Sequence, residues 1–78
     1  MSKQTDALTV LEEVAVSLKE SAEQIEAKTD FDKGRLLGYY EALSTLSSQC
    51  SVAGIALGEV GLADFSPEQL FNKDRKAA

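Results

Sequence analysis

The sequence predicts an all-α fold: an antiparallel helical hairpin with a short C-terminal helix, two copies of which dimerise into a four-helix bundle. Three observations predict it. Two segments carry apolar residues at alternating spacings of three and four, a cluster of capping residues separates them, and the second segment lacks the charges of a solvated helix.

The first helix is predicted over residues 5–28. Leu8, Leu11, Ala15, Leu18, Ala22 and Ile25 trace one face, with the spacing of a helix that packs on another helix. Val14 widens this stripe, Val10 and Val16 fall outside it, and Asp6, Glu13, Glu20, Glu23 and Gln24 lie opposite. Alanine at two of the six stripe positions lets a partner helix come close, because a methyl group barely covers the backbone.

Thr29 or Asp30 is a good N-cap, and Asp32 in the first turn complements the helix dipole. A second helix is therefore predicted over 31–54, with the stripe Leu36, Tyr39, Leu43, Leu46, Cys50, Ala53 and Leu57. Two such helices joined by a few residues read as an αα-hairpin. Between Ala42 and Gly58 there is no charge, and the face opposite the stripe is Ser44, Ser48 and Ser51 with Leu37 and Val52. A face of that composition is expected to lie against protein, so Leu37, Ser44, Ser48, Ser51 and Val52 are the candidate dimer interface.

Gly54-Ile55 has the pattern of a left-handed glycine cap followed by an apolar residue, and Gly61-Leu62 repeats it. A short turn over 56–60 is expected between them; continuation of the second helix to Gly58 is the alternative. Then Ser66 as N-cap, Pro67 at the first helical position, Gln69 completing a capping box and a Phe65–Leu70 staple start a third helix over 67–73. The tail from Lys73 to Ala78 is expected to fray.

Length and composition restrict function. The 78 residues make one small domain, with 13 acidic and 8 basic side chains, no histidine and one cysteine. For a chain of this size, apolar burial of about 110 kcal/mol meets a conformational cost of about 115 kcal/mol. A lone monomer is marginal, and neither a disulfide nor a zinc site is available to help it. A dimer is the remaining remedy. The net charge of −5 disfavours non-specific binding to DNA, and residues 1–30 hold seven of the acids against three bases. Any electrostatic partner is expected to be a basic protein, met by Glu13, Glu20 and Glu23 on the outer face of the first helix, with Tyr40 as a candidate partner-binding aromatic.

Catalytic and cofactor chemistry finds little here. Serine and cysteine nucleophiles lack a histidine base, and Cys50 sits in an apolar stripe as a small core residue. Glu20, Glu23 and Glu26 are three apart and spread around the helix, with Glu26 nearest the core and able to pair with a base on the second helix. Asp30-Phe-Asp32 opens like a calcium loop, but Gly34 offers no ligand and Arg35 occupies the obligatory glycine position. No catalytic residue, cofactor or metal is expected. No secretory leader is expected, because MSKQTDALTV has no apolar region after a basic cluster, and no membrane span, because Glu41, five hydroxyl residues and Gln49 interrupt the apolar run.

The pattern resembles that of small bacterial helical-hairpin dimers, the architecture of plasmid copy-number regulators. No motif matches residue by residue, so no functional residue carries over. The expectation is a cytoplasmic, non-enzymatic, homodimeric interaction or regulatory protein. An RNA-contacting regulator of similar shape, using Lys33, Arg35 and the basic tail, is the alternative.

Overall fold

The computed structural model describes residues 3–72. Within them the chain is helical: α1 spans Lys3–Glu23 and α2 spans Asp30–Ala53, followed by two 3-10 helices at Leu57–Val60 and Pro67–Asn72. The two long helices pack against each other and run antiparallel. Ala7 and Leu8 at the start of α1 lie beside Ile55, just past the end of α2. Ser21 and Ile25 at the other end lie beside Arg35 and Tyr39. The result is a rod about 46 Å long and 17 by 16 Å across.

The buried residues follow the apolar stripes. Ala15 and Ala22 of α1 and Leu36, Leu43 and Cys50 of α2 are buried, with Leu8, Leu11, Leu18, Tyr39 and Leu46 half-buried around them. Ile25 and Ala27 of the linker are buried as well, and the rest of the core comes from beyond α2, where Val60, Leu62, Phe65 and Leu70 are all buried. The C-terminal third is thus a structural layer. Ala53 departs from its predicted stripe position and is exposed. Val14, predicted to widen the α1 stripe, is 48% exposed.

α1 stops five residues earlier than predicted, at Glu23. The physical reason is competition from the cap of α2. Thr29 has extended backbone and its hydroxyl accepts from the Asp32 amide at 3.1 Å. In return the Asp32 carboxylate accepts from the amides of Thr29 and Lys28, each at 3.3 Å. The Lys28 amide is therefore taken from the Gln24 carbonyl that a continuing helix would have offered it. Ile25 donates to the Ala22 carbonyl to close the last turn, and Ala27 adopts a left-handed φ of 56° while its methyl stays buried. A glycine there would have announced the turn; alanine does not.

α2 ends as its residues dictate. Gly54 takes a left-handed φ of 74°, its amide donates to Ser51, and the Ile55 amide reaches the Cys50 carbonyl at 2.8 Å. The same closure recurs one turn later, where Gly61 has φ 75° and the Leu62 amide donates to Leu57 at 2.9 Å. Between them the Glu59 carboxylate holds the Ala56 amide at 2.7 Å. Gly61 also seats the segment on α1: a Cβ there would lie 2.6 Å from Cγ2 of Val16.

The last element corrects the predicted third helix. It is a 3-10 helix, and no capping box forms at Ser66. The Ser66 hydroxyl donates instead to the Glu68 carboxylate, which holds that carboxyl below its ordinary range, and the Gln69 side chain donates to the Asp64 carbonyl. The Gln69 amide donates to Ser66 in the tighter three-residue pattern. Phe65 and Leu70, the predicted staple, are both buried. The expected frayed tail and the final residue of that helix lie outside the described residues.

Candidate functional site

Four predicted contact residues project from the outer surfaces of the hairpin. Glu13, Glu20 and Glu23 of α1 are exposed. Glu13 and Glu20 are seven residues apart and share a line along the rod, whereas Glu23 is rotated by about 60° from Glu20. Tyr40 is half-buried, and the structure gives it an intramolecular role: its ring meets that of Phe71 at 4.8 Å between centroids, tilted by 47°. This pair holds the last 3-10 helix on α2, and the sequence alone did not disclose it.

The predicted interface residues do not share one environment. Leu37, Ser48, Ser51 and Val52 are exposed, Val52 at 83%, while Ser44 is half-buried. Ser44 and Ser47 follow Leu43 and Leu46 on the side of α2 that carries Tyr40, the side on which the C-terminal segment is laid. The chain's own tail-end layer therefore takes part of the face that the sequence reserved for a second copy.

Glu26 does not reach a base on α2. It pairs with Lys28 two residues on, at 3.0 Å, in the exposed linker, and this carboxylate raises the lysine's affinity for its proton. Arg35 stacks over Phe31 at 5.9 Å, and Phe31 is 73% exposed at the start of α2. On α1, the Lys19 ammonium lies 5.8 Å from the Phe65 ring, a second cation–π contact that ties the C-terminal layer down. Cys50 is buried between the helices.

Shallow grooves run along α1. One is lined by Asp6, Ala7, Val10, Leu11 and Val14, and the next by Val10, Glu13, Val14, Ser17, Leu18 and Ser21. Sequence reasoning placed Leu11 and Leu18 in the core stripe and Val14 at its edge but did not foresee a groove; the signal was present in Val10 and Val14, two apolar side chains beside the stripe. Among the described residues no group of three or more cysteines and carboxylates converges as a metal site, and no helix is long and apolar enough to cross a membrane. Comparison with protein-family models, with curated proteins and with solved structures finds no match to this chain.

Proposed function

We propose that the protein is a non-enzymatic, cytoplasmic interaction or regulatory protein that works as a homodimer, a bundle of two helical hairpins. The observation that carries this reading is the one-sided completion of the core. The C-terminal layer supplies Val60, Leu62, Phe65 and Leu70, yet Val10 and Val14 of the same small rod stay 58% and 48% exposed. Apolar exposure next to the core of a chain this short is what a partner surface requires.

The second part of the proposal is recognition. Glu13, Glu20 and Glu23 stand on an exposed helix of a chain with net charge −5, a surface suited to a basic protein partner. Static light scattering of the full chain at micromolar concentration should return twice 8.4 kDa. Replacing the three glutamates by glutamine should then slow association with a captured basic partner and flatten its salt dependence while the far-UV circular dichroism is unchanged. A monomer at every concentration would refute the first part, and unaltered rate and salt response the second.

One observation favours the RNA-contacting reading as an alternative. Phe31 is exposed beside Arg35 and two positions before Lys33, the combination of a stacking ring with cations that single-stranded nucleic acid uses. The basic tail that would assist lies outside the described residues. Fluorescence anisotropy with single-stranded RNA, lost on Phe31→Ala, would select this reading over the first.

A further inference from the structure

We infer that the second copy docks on one particular side of the hairpin, the side that faces away from the C-terminal layer. This inference rests on the homodimeric reading above and names its surface.

Which side is bare follows from helix geometry. Successive residues turn by about 100°, so the residue after a core position flanks the core on one side and the residue before it on the other. In two right-handed helices that run antiparallel, the following residues of both fall on the same side. On α1 those are Val16, against which Gly61 sits, and Lys19, whose ammonium lies over Phe65. On α2 one of them is Tyr40, covered by Phe71. The whole C-terminal layer therefore lies over one side. The opposite side is made by the preceding residues: Ala7, Val10, Val14, Ser17 and Ser21 of α1, and Arg35, Gly38, Ala42, Thr45 and Gln49 of α2, every one exposed. The core positions nearest that side, Leu11 and Leu18 of α1 and Leu46 of α2, are only half-buried. Those leucines are a core layer with one wall missing.

Three properties fit this wall to a second copy. The exposed residues at its centre are uncharged, while Asp6 and Glu13 line its grooves on α1 and Arg35 stands at its α2 end, so the charges of two chains of net charge −5 are kept to the rim. It is about 21 Å long at 1.5 Å per residue and about two helices wide. That is about 400 Å² in projection, on the order of 600 Å² accessible per copy, and about 1,200 Å² in the pair, the lower end of stable specific interfaces. Finally, α2 carries glycine at position 38, in its interior, where a Cβ would meet nothing within 4 Å. Glycine is costly inside a helix, and nothing within the hairpin requires it there. Gly34 is equally open, but Gly38 is the one on this wall, where it gives the backbone of a second copy room to pack closely.

Sedimentation equilibrium on the full chain tests the assignment. Wild type should dimerise in a concentration-dependent equilibrium. Val14→Glu and Ala42→Glu, each at an exposed position, should raise its dissociation constant at least tenfold with unchanged far-UV circular dichroism, and Ser48→Glu should not. Gly38→Ala is the second readout, because its methyl group cannot harm the monomer's packing: it should weaken the dimer severalfold. A wild-type chain that stays monomeric would remove the homodimeric reading and this inference together. A dimer that survives Val14→Glu, Ala42→Glu and Gly38→Ala but falls apart with Ser48→Glu would overturn the face alone.

Discussion

Gly61 is where the C-terminal layer depends most on a single absent atom, and Gly61→Ala should be the costliest single-methyl addition in the chain. Two penalties combine. The residue has φ 75°, in the left-handed region where an L side chain costs about 1–2 kcal/mol. The new Cβ would also lie 2.6 Å from Cγ2 of Val16, an overlap that neighbouring groups relieve only by moving, at about 1–3 kcal/mol. The expected loss is about 2–5 kcal/mol. Gly54→Ala is the internal control, because Gly54 has nearly the same φ, 74°, with nothing within 4 Å of its would-be Cβ. It should pay the backbone term alone, about 1–2 kcal/mol. Urea unfolding followed by circular dichroism, at one protein concentration for all variants, gives both values. Val16→Ala in the Gly61→Ala background should return part of the loss, since it removes the colliding methyl, and the double-mutant cycle isolates that part. If Gly61→Ala is no worse than Gly54→Ala, the turn at 57–61 is not seated on α1 and the one-sided covering of the hairpin falls with it.

Truncation after Gly61 removes Leu62, Phe65 and Leu70, all buried, and should lower stability by several kcal/mol in the same urea assay; an unchanged midpoint would mean the layer is not part of the core. Cys50 is 2% exposed, so its thiol should resist a maleimide until denaturant is added, and Cys50→Ser should cost about 1–2 kcal/mol through burial of a hydroxyl. Thr29→Ala removes the acceptor for the Asp32 amide and should cost about 1 kcal/mol of thermal or urea stability. The Glu68 carboxyl, held below its ordinary range by the Ser66 hydroxyl, favours the folded state at pH values above the ordinary carboxylate range, and that contribution disappears as pH falls through the lowered value. In a carboxyl-carbon NMR titration, Ser66→Ala should move Glu68 back upward.

Local chemistry was legible in the sequence because its causes are local. The stripes of α1 and α2 follow from side-chain spacing. Thr29 with Asp32, Gly54 with Ile55 and Gly61 with Leu62 each specify a turn through groups at most five residues apart, so no distant contact is needed to read them. The end of α1 was not legible, because two local preferences compete between Gln24 and Lys28. Helix propensity and the stripe through Ile25 favour continuing, while the Asp32 carboxylate claims the Lys28 amide, and Ala27 accepts an unfavourable φ to let the second prevail. Nor was the 3-10 form of residues 67–72, which places Leu70 in the core and Phe71 on Tyr40.

What only the tertiary structure decided is the side of the hairpin on which the C-terminal layer lies. Both flanks of each stripe offer uncharged residues: Val14 and Val16 lie on opposite sides of Ala15, and Ala42 and Ser44 on opposite sides of Leu43. Helix periodicity treats the two flanks alike. The choice is made by contacts between residues far apart in the chain, Gly61 against Val16, Phe65 under Lys19 and Phe71 against Tyr40. A sequence read by local spacing contains no term for such pairings, because each is a match of shapes that exists only once the helices have docked. By itself the sequence determined two amphipathic helices, the cap that starts the second and the glycine turn that ends it; the packing determined which wall of the core was left open.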